Sequence, residues 1–421
     1  MQKIAIPVAA AIRDNPHPGI GFGEFVALIA LVMAVNALAI DAMLPALPQI
    51  GAALGAANDN QAQLIVTAYL VGFGAAQIFY GPLTDRYGRR PVLIFSLVFY
   101  ALFGAAAAFA VTLDQMLAAR FLQGVAAAAT RVLAVSIVRD CYSGRRMARV
   151  MSLTFIVFLA VPVVAPSIGQ AIVLIAPWPW IFGLLALFGG GVAIWAALRM
   201  PETLPADARR PISVAAILSA FRIVLTSRMS IGYTIASTFV LGGLFGFINS
   251  AQQVFVDVLG LGIYFPLAFA AIAGCIAASS LLNARIVERL GMRRVSHSAL
   301  IGYTAIATLH AAIALAELES ATLFLLLQSA MMFCFGLTVG NFNAMAMEPV
   351  GHVAGTASSI QGFITTLGGA LLGFWVGQHF DGTLVPLTLG YAILGFAAIA
   401  AVLATERFRL FQPINAPPAK G

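Results

Sequence analysis

A lone acid in an apolar run is the first residue that could do chemistry. Asp41 follows sixteen residues, 25–40, without a charge. An ionised carboxylate in hydrocarbon costs about 2.5–3.5 kcal/mol or more. Asp41 must therefore line a cavity or a polar interface. A carboxyl held that way can load a proton in one conformation and release it in another. Two bases, Arg120 and Arg131, stand in a different apolar run. Eleven residues at 100° each leave them about 20° apart, on one helical face three turns apart. Gln123, Gly124, Ala127 and Ala128 lie along that stripe, and small residues let a helix or ligand approach closely. The stripe reads as an electropositive cavity wall, with Arg120 at a depth similar to Asp41 and able to pair with it. The competing reading is that Arg120 ties the two helices together. Asn249, Gln252, Asn341 and Gln361 are further polar positions in or near apolar runs, suited to substrate contact or to interhelical hydrogen bonding.

Other chemistries lack their residues. The sequence has no phosphate-binding Gly-x-x-x-x-Gly-Lys-Ser/Thr loop, no nucleophile elbow and no His/Cys cluster at metal spacing. Its three cysteines are scattered, neither a disulfide framework nor a metal site. No metal, no organic cofactor and no enzymatic activity is expected. Energy has to come from an ion gradient; one proton moving down 100 mV supplies about 2.3 kcal/mol.

The elements that must position these residues are membrane helices. Of 421 residues, 61% are hydrophobic and 9% charged, against about 25% charged in a soluble domain. That excludes an ordinary soluble enzyme and a disordered chain. Twelve apolar runs are centred near residues 36, 72, 102, 127, 162, 189, 240, 272, 306, 332, 366 and 395. Each can supply the roughly 20 residues of a bilayer-crossing helix. Numbered in that order as spans 1–12, they put 21 of the 23 Lys and Arg on one side, including Lys3, Arg13 and Lys420. The opposite loops hold Asp59, Asp114, Asp257, Glu317, Glu319 and Asp381 and no base. The positive-inside rule makes the basic side and both termini cytoplasmic. The net charge of +7 is thus a topology signal, and nucleic acid is not needed to explain it. The first 22 residues lack the apolar core of a signal peptide, so span 1 is expected to be retained.

The chain divides into residues 1–200, a linker over 201–228 and residues 229–421. The two larger parts repeat. Gly81-Pro-Leu-Thr-Asp85-Arg86-Tyr-Gly88-Arg89-Arg90 after span 2 matches Ala284-Arg-Ile-Val-Glu288-Arg289-Leu-Gly291-Met-Arg293 after span 8 at an offset of 203. Duplicated halves rocking about a midplane site are a recurrent transporter plan.

These motifs carry a resemblance. Residues 81–90 resemble the loop signature of the major facilitator superfamily. Arg120-Phe-Leu-Gln123-Gly124 is similar to its fourth-helix motif, and Ala165-Pro166-Ser-Ile-Gly169 to its antiporter motif. Asp41-Ala-Met-Leu-Pro45-Ala-Leu-Pro48 resembles the first-helix motif of twelve-span drug:proton antiporters. Val138-Arg139-Asp140 and residues 348–361 resemble the bicyclomycin/chloramphenicol-resistance group. The pattern departs at Ala42-Met43, where Met-Tyr is usual, and at Gly169-Gln170, where Gly-Gly is usual. The resemblance implies an all-α membrane fold of two six-helix halves around a central cavity, working as a monomer in the bacterial inner membrane. It implies proton-coupled efflux of small drugs by alternating access. With one buried acid and one or two buried bases, neutral or zwitterionic, amphenicol-like substrates are expected; proton-coupled symport or export of a small metabolite is the alternative. Asp41 and Arg120 would couple the proton. Gly81, Asp85, Arg86, Gly88, Arg89, Arg90 and Asp140 would gate, with Asp85 capping a helix of the other half and Arg89 pairing with Asp140 to latch the outward-facing state. Pro162, Pro166 and Gly169 would shape span 5, the prolines by kinking it.

Overall fold

The computed structural model describes residues 20–412 apart from Ser143 and Arg210. Lys3, Arg13, Arg210 and Lys420, used above for topology, lie outside the described residues. All regular structure among the described residues is helical. Among the described residues, twelve helical spans are long and apolar enough to cross a membrane. The first six are span 1 (Phe22–Ala53), span 2 (Asp59–Tyr87), span 3 (Arg89–Ala108), span 4 (Leu113–Cys141), span 5 (Arg149–Ile175) and span 6 (Pro179–Arg199). The second six are span 7 (Arg228–Val258), span 8 (Gly262–Leu290), span 9 (Met292–Leu315), span 10 (Ala321–Gly351), span 11 (Gly355–Gln378) and span 12 (Val385–Thr405). Each contains the centre expected from the sequence.

The sequence repeat has a structural counterpart. Gly88 and Gly291 link spans 2–3 and 8–9 with φ of +99° and +83°, a left-handed backbone that glycine adopts without strain. Thr112 and Ser320 cap spans 4 and 10, each accepting from the N–H three residues on. Spans 2 and 4 cross through two glycines: a Cβ on Gly72 would stand 2.1 Å from the Phe121 carbonyl oxygen, and one on Gly124 2.1 Å from that of Tyr69.

Span 1 is broken where its chemistry lies. Its first helix ends at Asp41, a 3-10 turn covers Leu44–Ala46, and a short helix resumes at Leu47–Ala53. Pro45 and Pro48 sit at the starts of the two later pieces; with no N–H to give, each can begin a helix but not continue one. Span 5 runs as one helix, Gly144–Ile175, through Pro162 and Pro166, so the expected kinks do not interrupt it.

The halves meet along spans 2 and 11 and along spans 5 and 8. Near the acidic loops the seam is closed by neutral amides. Gln63 Nε2 donates to Gln253 Oε1, Gln253 Nε2 to Asn60 Oδ1 at 2.8 Å, and Gln378 Nε2 to the Asn60 carbonyl at 2.6 Å. Asn60 in turn donates to the Phe380 carbonyl. At the basic end, the connector between spans 6 and 7 forms a helix, Val214–Thr226. It buries Ala220 and Val224 against Val350, Ala357 and Ile360.

Candidate functional site

Asp41 is the last residue of the first helix in span 1 and is 4% exposed. It makes no hydrogen bond or ion pair with any described residue. The next residue is pinned: a Cβ on Gly169 of span 5 would stand 1.7 Å from the Ala42 carbonyl oxygen. Only glycine permits that backbone approach, so the antiporter-like motif packs directly beside the carboxyl-bearing break.

The pair expected between Asp41 and Arg120 is not formed. Arg120 is fully buried. It donates to the Ala39 carbonyl at 2.9 Å, to Gln123 Oε1 at 2.6 Å and to the Ile65 carbonyl at 3.4 Å. Its guanidinium lies 4.5 Å from the Tyr69 ring centroid. The reason is the break in span 1. A helix leaves its last four carbonyls without partners, and its C-terminal end favours a cation. Arg120 answers both at Ala39, and thereby ties span 1 to spans 2 and 4. Tyr69 Oη donates to Asn36 Oδ1 at 3.0 Å, and Asn36 Nδ2 to Thr130 Oγ1 at 2.5 Å, so Asn36 extends the same tie. Sequence reasoning passed over Asn36, although it too is polar within an apolar run.

The stripe on span 4 changes character along its length. Gln123, Gly124, Ala127 and Ala128 are buried, while Arg131, Val135 and Arg139 are exposed. Gln123 and Gly124 therefore serve packing, not a cavity wall. Arg131 Nη1 donates to Thr366 Oγ1 of span 11 at 3.1 Å, an oxygen that also accepts from Gln77 Nε2 of span 2 at 3.1 Å. A Cβ on Gly355 of span 11 would stand 3.8 Å from the Arg139 guanidinium. The exposed face thus looks across at the other half. This face of span 4 is exposed from Arg131 toward the basic end and buried toward the acidic end.

The remaining polar candidates divide. Asn249 of span 7 accepts from Thr67 Oγ1 of span 2 at 3.4 Å, across the seam, and its buried Nδ2 has no partner among the described residues. Gln252 is buried on the following turn. Asn341 and Gln361 are interhelical ties. Asn341 Nδ2 donates to Asn283 Oδ1 at 2.8 Å, and Gln361 Nε2 donates to Ser230 Oγ at 2.9 Å and the Ala346 carbonyl at 3.0 Å.

At the basic end, Arg89 is buried and bonds Asp85 at 2.7 Å and Asp140 at 2.9 Å. Asp85 does not cap a helix of the other half; its partner is Arg89, in its own loop. The anion at a helix start is instead Glu202, just past span 6, which accepts from the N–H groups of Arg89 at 2.9 Å and Arg90 at 3.2 Å. A Cβ on Gly88 would stand 2.4 Å from Glu202 Oε2, so Gly88 provides both the turn and the room. Arg90 Nη2 donates to the Ala197 carbonyl of span 6 at 2.6 Å. The second half repeats the device with different atoms: Arg293 at the start of span 9 bonds Glu406, just past span 12, at 2.8 Å. Arg86 lies over the Tyr87 ring. Gly81 faces Ser359 of span 11, 3.0 Å from a modest added Cβ. The Arg89–Asp140 bond thus holds the first half to itself and does not bridge the halves. Glu202 was missed from sequence, yet it and Glu406 fall within one residue of the 203 offset.

The family model described as Major Facilitator Superfamily matches residues 29–373. The chain belongs to that superfamily. An uncharacterized MFS-type transporter of Bacillus subtilis, YdgK, is 32% identical over 386 residues, 90% of this chain and 93% of that protein. A bicyclomycin resistance protein homolog of Haemophilus influenzae is 28% identical over 389 residues, 90% and 94% of the two chains. Among solved structures, the xylose transporter XylE of E. coli, in a partially occluded inward open conformation, superposes with a TM-score of 0.72 at 11% identity, covering 92% of this chain and 99% of that one; it shares the fold. As a major facilitator superfamily member the chain is a multi-pass membrane transporter.

Proposed function

We propose that this transporter exports small drugs across the bacterial inner membrane in exchange for protons, both termini being cytoplasmic. The observation that carries the reading is Asp41: a carboxyl with no partner among the described residues, at a helix break, against the glycine of the antiporter-like motif. Sliding of span 5 over Ala42 would alter what surrounds that carboxyl. A rocking of the halves thereby becomes a change in proton affinity, the differential that coupling needs. Arg120 acts as the clamp that fixes the geometry of span 1, in place of a proton partner. Arg131, an exposed cation on span 4, bonds Thr366 of the other half and has no acid among its described partners. This favours neutral or zwitterionic, amphenicol-like compounds over dications. The bicyclomycin-resistance homolog supports a drug as cargo.

A susceptibility panel in an efflux-deficient host, with drug-driven proton release from proteoliposomes, tests the reading. Wild type protects the host and releases protons. Asp41→Asn loses both and keeps energy-independent counterflow. Full active efflux by Asp41→Asn excludes Asp41 as the proton site. Uptake of a metabolite driven by inward proton flow reverses the direction and establishes the symporter.

A further inference from the structure

Spans 8 and 9 diverge from their tight turn at Gly291 with span 10 behind them. The wedge between them is a groove of about 370 Å³. Its walls are Ile286 and Leu290 of span 8, Val295 of span 9 and Leu337 of span 10, with Arg294 and Ser298 also lining it. Arg294 and Ser298 are one helical turn apart on span 9 and both exposed. Arg294 makes no ion pair or hydrogen bond with a described residue, whereas its neighbour Arg293 is committed to Glu406. Leu290 is 51% exposed. Arg285 and Arg289 flank the groove on span 8, with Glu288 between them.

We propose that this groove binds one anionic phospholipid of the membrane the protein crosses, its phosphate on Arg294 and Ser298 and an acyl chain along Ile286, Leu290 and Leu337. Three observations carry it. A cation with no partner among the described residues stands at the basic start of a membrane span, where such a charge attracts anionic lipid. The wall below is apolar, which a soluble anion could not use. The first half lacks the feature: at the repeat offset of 203, Pro91 and Phe95 stand where Arg294 and Ser298 stand. The glycine turn and the helix start are retained in both copies, so the polar pair is particular to the second.

The test is native mass spectrometry and thermal unfolding of the purified full chain with added phosphatidylglycerol, phosphatidylcholine or soluble glycerol phosphate. Phosphatidylglycerol is expected to be retained and to raise the unfolding midpoint, and the other two not. Arg294→Gln weakens retention about fivefold, from roughly one surface charge lost. Ser298→Phe, which restores the first-half residue, does the same by filling the groove. Arg285→Gln, outside the groove, changes retention less than Arg294→Gln and controls for folding. Equal retention of both lipids, unchanged retention by Arg294→Gln, or stabilisation by glycerol phosphate alone overturns the proposal.

Discussion

Replacing Arg120 by leucine separates a clamp from a reaction partner. The side chain supplies two short charge-assisted hydrogen bonds, 2.9 Å to the Ala39 carbonyl and 2.6 Å to Gln123. Each is worth about 1.5–3 kcal/mol. Part of that gain offsets the cost of burying a guanidinium, which an apolar residue does not incur. A net loss of about 3 kcal/mol is expected, which at about 2.1 cal/mol/K per residue over 421 residues lowers the unfolding midpoint by roughly 3 °C. Arg120→Gln should fall between wild type and leucine. The corresponding place in the second half already holds Gln328, eight residues past the Ser320 cap as Arg120 is eight past Thr112. There it donates to Tyr391 Oη at 3.0 Å. Thermal unfolding in detergent and drug-driven proton release in proteoliposomes are measured on the same preparations. The clamp predicts a lowered midpoint, with coupling kept by the protein that folds. A leucine variant that unfolds at the wild-type temperature yet moves no protons would refute it and return Arg120 to the transport reaction.

Gly169→Ala forces a methyl into the Ala42 carbonyl; about 3 kcal/mol of overpacking and loss of drug resistance are expected, read by unfolding midpoint and susceptibility. Glu202→Ala uncaps span 3 at a cost of about 1 kcal/mol, and limited proteolysis within residues 201–213 should run about fivefold faster. Glu319, between spans 9 and 10, is held up to about 7 by burial, beside His310 at 2.7 Å. Its folded form binds a proton more tightly than an ordinary carboxyl. Stability from this site is therefore full below about pH 4.5 and is lost as pH rises through about 7. Hydrogen exchange of residues 316–320, corrected for intrinsic rates, should show the loop opening between pH 5 and 8, and Glu319→Gln should flatten that response.

The spans were legible because bilayer thickness imposes length and apolarity on each, and the repeat because Gly88 and Gly291 serve the same turn. The site was legible in part. Asp41 stood out because a lone acid in a charge-free run is costly. Its pairing with Arg120 was inferred from depth, and depth says nothing of azimuth. What decided the partner was a backbone carbonyl, Ala39, freed by a helix break that Pro45 and Pro48 foretell only in retrospect. Gln123 and Gly124 shared a face with Arg131, but periodicity does not reveal where along a face the neighbour stops. Glu202 lay in a loop full of charges, and its target was a pair of N–H groups, which carry no side-chain signature.

The closure of the acidic end has a consequence for how the protein meets its surroundings. Asn60, Gln63, Gln253 and Gln378 hold it through hydrogen bonds between neutral amides. Counterions weaken attraction between net charges and leave amide pairs nearly untouched, and no proton binds to an amide in the physiological range. Salt and acid therefore leave these four contacts intact, and the command to part them has to come from within the protein.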